Sequence, residues 1–469
     1  MREEEDFIGT VMVPEDAYYG SFTARAAENF RLSGLKVDAE LIKSVAIIKK
    51  SAALANMELG MLEEKKARAI ADAAREVIQG RHGREFILDA FQAGAGTPLH
   101  MNVNEVIANR AEELLGGKKG EYRLVHPNND VNMSQSSNNV VPSAIKIAAI
   151  RLNPRLLEEA EALKQAFDAK SEEYHDAVKT GRTHLQDAVP MTYGQSFSAY
   201  AKAVEKDLAA ISSSLENLQK LGVGGTATGT GITAHPEFRE RITEHIKNEG
   251  LNVSASENPV ESTQNMNSFL SFSCSLKRYA VTLNRIADDL RLLSSGPKAG
   301  IAELVLPGVE PGSSIMPGKL NPSIPEAVNM VCYQVMANEH AVLLACQSGQ
   351  LELNFATPLI AHSILQSQRM LARCSAMFRE LCIEGLKVNR EKAKENFEKT
   401  FGYATAFNPY LGYTKVSKLV AEAYQKGTTL KSLIVGKGLL SEEETEKIIA
   451  SAMGPSRIDE KIRKGLEQA

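Results

Sequence analysis

The chain reads as a mostly α protein organised around a central bundle of long helices, and three observations lead there. Apolar residues recur at three- and four-residue intervals over long stretches, while the strict alternation of a half-buried strand is scarce. Several of these stretches exceed the ordinary length of globular helices and contain few breakers, the pattern of a helical bundle. Aromatic residues, which favour strands, make up only 6% of the chain. With 469 residues, and about 150 per domain, the length fits three units. These are an N-terminal helical domain over 1–139, the central bundle over 140–390 and a small helical domain over 391–469.

Along the chain, the first 35 residues hold turn signals such as Val13-Pro14 and Tyr19-Gly20. Residues 39–60 have helical spacing and end at Gly60, a C-cap residue, and 62–79 repeat the style. Long helices follow over about 143–179, 192–221, 258–294, 323–348 and 355–386. The segment 262–293 carries small and polar residues on more than one face, as a helix buried among other helices does. So many long helices leave surface that needs a partner, and oligomerisation is the economical solution. After about residue 390 the composition becomes more charged and the helical segments shorten.

The breaks between helices are polar loops over 92–104, 126–142, 181–190, 223–233 and 307–322. They are rich in Ser, Thr, Asn and Gly, and the positive charges singled out within them are Arg182 and Lys319. Such loops suit a small carboxylate held by oriented dipoles and one cation.

Composition excludes several classes. With 43% hydrophobic and 24% charged residues, disorder is ruled out. A net charge of -4 leaves no basic excess for nucleic acid. No stretch reaches the roughly 18 apolar residues of a membrane span, and MREEEDFIGT is acidic where a secretory signal would be basic and then apolar. The five cysteines lack CxxC spacing and sit in apolar helical contexts, as buried free thiols do. A cytoplasmic location is therefore expected. No HExxH or comparable histidine cluster is present, so no metal held by such a motif is expected. The Gly-rich stretch 223–233 lacks a P-loop ending, which argues against nucleotide binding.

One loop is specific. Gly312 to Pro322, GSSIMPGKLNP, resembles the GSSxMPxKxNP fingerprint of the fumarase/aspartase superfamily. GTPLHMNVNEV at 96–106, HPNNDVNMSQSSN at 126–138 and GRTHLQDAVPMTYGQ at 181–195 agree with the same superfamily. So do GGTATGTG at 224–231 and FNPYLGY at 407–413, so the likeness covers nearly the whole chain. The resemblance implies a three-domain subunit whose long helices form a tetrameric core, a homotetramer in which three subunits share each active site. It also implies reversible anti-elimination from a succinyl-type substrate, usually releasing fumarate, with no organic cofactor. Activation by a divalent cation at a site that the sequence does not locate is compatible with it.

By the family pattern Ser313 is the catalytic base, an alkoxide on a mobile loop, and His184 is an active-site residue. Thr97, Ser136, Ser137 and Asn138 surround the carboxylate that becomes the aci-carboxylate. Lys319 and Asn321 fix the other carboxylate, and Thr183 and Ser314 add substrate contacts. Glu326 partners His184 in the family, although a first-turn acid favoured by the helix dipole explains it equally. Ser136 and Asn138 also suit capping of a helix beginning near Pro142. An unassisted serine is a poor base, so loop amides and a nearby cation must favour its ionised form.

Tyr18-Tyr19-Gly20, the run at 49–60, Lys118 to Tyr122, Pro325-Glu326 and the run at 348–354 resemble the aspartase branch, which releases ammonia from L-aspartate. HPEF at 235–238 and MNVNEVIANRA resemble fumarases, which exchange water between malate and fumarate. Aspartate elimination leads, fumarate hydration is the alternative, and a related lyase with a shifted substrate is a third. That third reading rests on departures from the family pattern: Pro98, Leu99 and His100 after Thr97, Asn139 in place of an acid, and Ser196 where Glu is common.

Overall fold

The computed structural model describes residues 1–453 and 458–467; residues 454–457 and 468–469 of the expected third domain lie outside the described residues. The chain opens with an antiparallel hairpin, β1 (Arg2–Asp6) and β2 (Gly9–Val13), followed by α1 (Ser21–Asn29). Helices α2 (Ala39–Glu58) and α3 (Glu64–Ile78) match the two expected amphipathic segments. The Asp38 carboxylate caps α2 by accepting from the Glu40 amide, and Gly60 turns the chain at φ +72°, a conformation glycine adopts without strain.

The next two helices begin inside segments read as loops. Helix α4 (Thr97–Leu114) starts before Pro98, because a proline in the first turn removes only an amide that has no helical partner. Helix α5 (Ser137–Glu173) starts five residues before Pro142, which it contains. The Asn139 and Val140 amides bond the Ser136 carbonyl at 3.3 and 3.0 Å and fix that start.

The expected loop at 181–190 belongs instead to an antiparallel hairpin, β3 (Val178–Thr183) and β4 (Gln186–Thr192). His184 and Leu185 at its tip have φ of +57° and +59°, the twist of a two-residue hairpin turn. Helix α6 (Tyr193–Glu216) leads to β5 (Lys220–Leu221), α7 (Phe238–Lys247) and β6 (Ser254–Ala255), with β5 and β6 parallel. The helix expected over 258–294 is broken into α8 (Pro259–Gln264) and α9 (Asn267–Leu293). Asn265 is extended there, and its side chain accepts from the Asn267 amide.

Strand β7 (Leu304–Val305) precedes the long helices α10 (Ser323–Gln347) and α11 (Thr357–Phe378). It pairs with β8 (Lys387–Val388). Shorter helices close the chain: α12 (Arg390–Glu398), α13 (Asn408–Leu411), α14 (Tyr413–Lys426), α15 (Leu430–Gly436), α16 (Glu442–Ser451) and α17 (Glu460–Glu467). The fold is mostly α, as the spacing indicated, with β structure confined to two-stranded pairs among the described residues.

The chain divides into two compact units, each assembled from three stretches. The first comprises 1–159, 206–281 and 330–374. Within it α2 packs on α3 and α7 around Val45, Ile48, Ile70 and Ile242. The second comprises 160–205, 282–329 and 375–469; there α12 packs on β3, and Phe397, Tyr403, Phe407, Leu430 and Ile434 form a core cluster. Helix α9 buries Phe269, Phe272, Leu276, Tyr279, Leu283, Ile286 and Leu290, alternately three and four residues apart. That spacing is a seam for packing between helices. No described helix is long and apolar enough to cross a membrane. The five cysteines are free, and burial pushes the Cys374 and Cys382 thiols up to about 12.

Candidate active site

In the first unit the site grows from two helix starts. Gly96, at φ +81°, precedes Thr97; a Cβ there would lie 2.9 Å from Val141 of α5, so only glycine lets the two helix starts approach. The Thr97 hydroxyl donates to the Gly94 carbonyl at 2.6 Å. His126 closes the turn Pro127–Val131, its Nδ1 accepting from the Asn128 and Asn129 amides. The Ser136 hydroxyl oxygen accepts from the Asn138 amide at 3.2 Å, so this serine caps α5. Thr97, His100, Ser136 and Ser137 line one cavity of about 660 Å³, with the exposed Phe7 and Ile8 of the N-terminal hairpin at its edge.

The Asn138 side chain faces elsewhere: its Nδ2 donates to the Ala227 carbonyl at 2.7 Å, and Asn139 Nδ2 donates to the Thr226 carbonyl. The Gly-rich loop is thereby tied to the start of α5. Lys49 was not singled out from the sequence as a site residue, yet it is wholly buried behind this cavity. It donates to Asn132 Oδ1 and Gln135 Oε1, each at 2.9 Å, and meets His100 Nε2 in a very short contact. A signal existed, for Lys49 falls on the stripe of Val45, Ile48 and Ala52, where a solvated lysine does not belong.

The second unit holds the fingerprint loop. The Ser313 hydroxyl oxygen accepts from the Ile315 and Met316 amides at 3.2 and 2.9 Å. Both bonds favour negative charge on that oxygen. The loop is clasped at its base: the Gly312 backbone amide donates to the Lys319 carbonyl at 2.8 Å, and Asn321 Nδ2 donates to the Gly312 carbonyl at 2.7 Å. Ser314, Ile315 and Lys319 are exposed. Asn321 therefore holds the loop together here, with its Nδ2 directed at its own chain.

Thr183 and His184 are exposed at the tip of the β3–β4 hairpin, and Glu326 stands in the first turn of α10. No hydrogen bond or ion pair joins His184 to Glu326 among the described residues. Arg182, read from sequence as one of the loop cations, is committed to structure. Its guanidinium holds Glu303, which is fully buried and also accepts from Tyr193 and Asn396. Burial alone would raise the Glu303 carboxyl, but these donors outweigh it and keep it below the ordinary carboxylate range. No group of three His, Cys, Asp or Glu placed to hold a metal occurs among the described residues.

Comparison with known proteins identifies the family. A family model described as lyase matches residues 9–337, and one described as the fumarase C C-terminus matches 404–452. An aspartate ammonia-lyase from a Bacillus species is 45% identical over 96% of each chain. A class II fumarate hydratase from Nitrosomonas europaea is 44% identical over 94% of this chain and 96% of its own. The crystal structure of a fumarate lyase, delta crystallin, from Brucella melitensis bound to cobalt superposes with a TM-score of 0.93 at 42% identity. It covers 96% of this chain and 98% of that one. On these matches over nearly its whole length, the chain belongs to the fumarase/aspartase superfamily of lyases.

Proposed function

We propose that the protein is a carbon–nitrogen lyase that eliminates ammonia from L-aspartate, reversibly, to give fumarate. The observation that carries this reading is the Ser313 oxygen, which accepts two backbone amides in a clasped, exposed loop. As an alkoxide it takes the proton from the carbon next to a carboxylate, and the electron pair moves into that carboxylate to form a dianionic aci-carboxylate. The pair then returns to form the carbon–carbon double bond, and the ammonium group leaves as ammonia with the electrons of the broken C–N bond. Thr97, Ser136, Ser137 and Asn138 supply neutral donors where that charge develops, Thr97 and Asn138 by exchanging the Gly94 and Ala227 carbonyls for the carboxylate; such donors are the largest usual contribution to this kind of catalysis. Lys319 and Ser314 take the other carboxylate while Asn321 keeps their loop clasped, Thr183 adds a substrate contact, and His184 acts from the hairpin tip.

The Ser-Ser-Asn segment and the Ser313 loop belong to different units. In this reading they meet in a homotetramer, each site drawing on three subunits. Support for assembly comes from α10, where Met330, Tyr333 and Leu344 are exposed on one stripe. No organic cofactor enters the chemistry, a divalent activator remains compatible with it, and the free cysteines fit a reducing cytoplasm.

Ultraviolet detection of fumarate tests the reading. Aspartate should give a signal that malate does not, and Ser313→Ala should lose about 10²–10⁴-fold in kcat while keeping its assembly. Persisting activity in that variant removes Ser313 as the base. Selective turnover of malate would instead favour the fumarate hydratase reading, which the 44% identity to the Nitrosomonas enzyme supports. Turnover of neither, with activity on another amino or hydroxy acid, would favour a shifted substrate, for which His100 and Asn139 speak.

A further inference from the structure

The chemistry above leaves Lys49 and His100 without a task. Both are buried, at 0% and 1% exposure, and His100 Nδ1 lies 2.8 Å from the Ser137 hydroxyl oxygen. The partners of Lys49 are two side-chain amides and an imidazole, none of them an anion. The charged groups of neighbouring elements are engaged elsewhere: Asp130 with Lys66, Glu249 with Lys50, Glu58 with His245, and Asp6 with Arg25. Glu105, on the same helix as His100, accepts from the Gly20, Phe22 and Thr23 amides and the Thr23 hydroxyl. Tyr122 donates to Glu4 and accepts from Asn109, and Glu5 is exposed at the cavity's rim. His126 accepts its two amides at Nδ1 and lines the same cavity, and burial lowers its pKa from the ordinary imidazole value.

We propose that Lys49 and His100 share one proton and set the polarity of the Ser137 hydroxyl, so that a substrate carboxylate bound at Ser137 is the missing counter-ion of the buried pair. This rests on the reading of Thr97, Ser136 and Ser137 as a carboxylate site.

Counting donors shows how the relay works. The Asn132 and Gln135 amides are oriented by their own bonds: Asn132 Nδ2 donates to the Gln135 carbonyl, and Gln135 Nε2 to the Val131 and Met133 carbonyls. Their oxygens therefore face Lys49 and only accept, which commits two Lys49 protons. With a third proton, Lys49 donates to His100 Nε2, His100 donates from Nδ1 to Ser137, and the Ser137 proton is free to point into the cavity. Without it, Lys49 accepts from His100 Nε2, His100 Nδ1 accepts the Ser137 proton, and Ser137 turns only lone pairs to the cavity. A carboxylate is bound by the first arrangement and repelled by the second.

Burial disfavours charge on Lys49, and burial followed by the Lys49 charge disfavours it on His100; both lie well below their ordinary values. The empty pair thus gives up its proton as pH rises, and an arriving anion draws one back in. The two groups titrate as one unit.

Calorimetric titration with succinate, a non-reacting four-carbon dicarboxylate, in buffers of different ionisation enthalpy reads this directly. On the alkaline side of neutrality the protein should take up a fraction of a proton approaching about one per site. His100→Asn offers a fixed bridge, its oxygen accepting from Lys49 and its amide donating to Ser137. It should take up clearly less and move the alkaline limb of kcat/KM for aspartate to higher pH. Lys49→Met should raise KM about tenfold, more than it lowers kcat, since a charged hydrogen-bond relay is lost. Succinate binding with no proton uptake between about pH 6 and pH 9 overturns the shared-proton pair and leaves the carboxylate site standing. Failure to bind succinate, together with no fumarate from aspartate, overturns both. The wild-type measurement decides even where a variant fails to fold.

Discussion

Glu303 shows how a carboxylate can sit at 0% exposure and still be charged: Arg182, Tyr193 and Asn396 donate to it from three elements. Breaking one partner of a buried pair leaves an uncompensated charge, so Arg182→Ala should destabilise the protein by about 3–5 kcal/mol, measured from denaturant midpoints. The sign with pH follows from the depressed native carboxyl. Its stabilisation is present above the unfolded carboxylate pKa and fades as pH falls through the lower native value. In the variant burial dominates and the carboxyl rises, so the penalty should be largest near neutrality and shrink in acid as Glu303 protonates. An equal penalty at all pH values would mean that packing, not charge, is what Arg182 supplies. Its place in a polar loop made it one of two candidate cations, because local sequence does not reveal a partner 121 residues away.

Helices were legible wherever apolar spacing ran uninterrupted, as in α2, α3, α10 and α11. Their starts at Thr97 and Ser137 were not, because proline and a polar composition mark loops locally while packing extends a helix through them. The close approach of these two starts makes a prediction. Gly96→Ala adds a Cβ 2.9 Å from Val141 in a left-handed conformation, so it should cost about 1–3 kcal/mol. It should also raise KM for aspartate by moving Thr97 relative to Ser136 and Ser137. Thermal melts alongside steady-state kinetics check both, and an unchanged KM would separate the cavity from this contact. The hairpin at 178–192 escaped notice for the converse reason: its short strands are paired by each other, with only a weak alternating pattern of their own.

The proposed assembly makes a prediction of its own. Met330 and Tyr333, 64% and 54% exposed, lie one turn apart on α10. If that stripe is the seam between subunits, sedimentation velocity should give a tetramer for the wild type. Tyr333→Glu should dissociate it and lower turnover in step, because the donors at Ser136 and Ser137 and the Ser313 loop would no longer meet. A Tyr333→Glu tetramer with full activity would place the seam elsewhere.

Helical spacing, the polar breaks between helices and the GSSIMPGKLNP fingerprint were enough to reveal the mostly α class, the superfamily and the segments around the cavity. These are local patterns, carried by residues close together in the chain. Three-dimensional packing alone set Arg182 on Glu303, turned Asn138 toward Ala227, clasped Gly312 with Asn321 and buried Lys49 against His100. Apart from the clasp within the fingerprint loop, each of these joins residues that lie far apart in the chain, and the partner that satisfies a polar group there depends on which surfaces burial brings together.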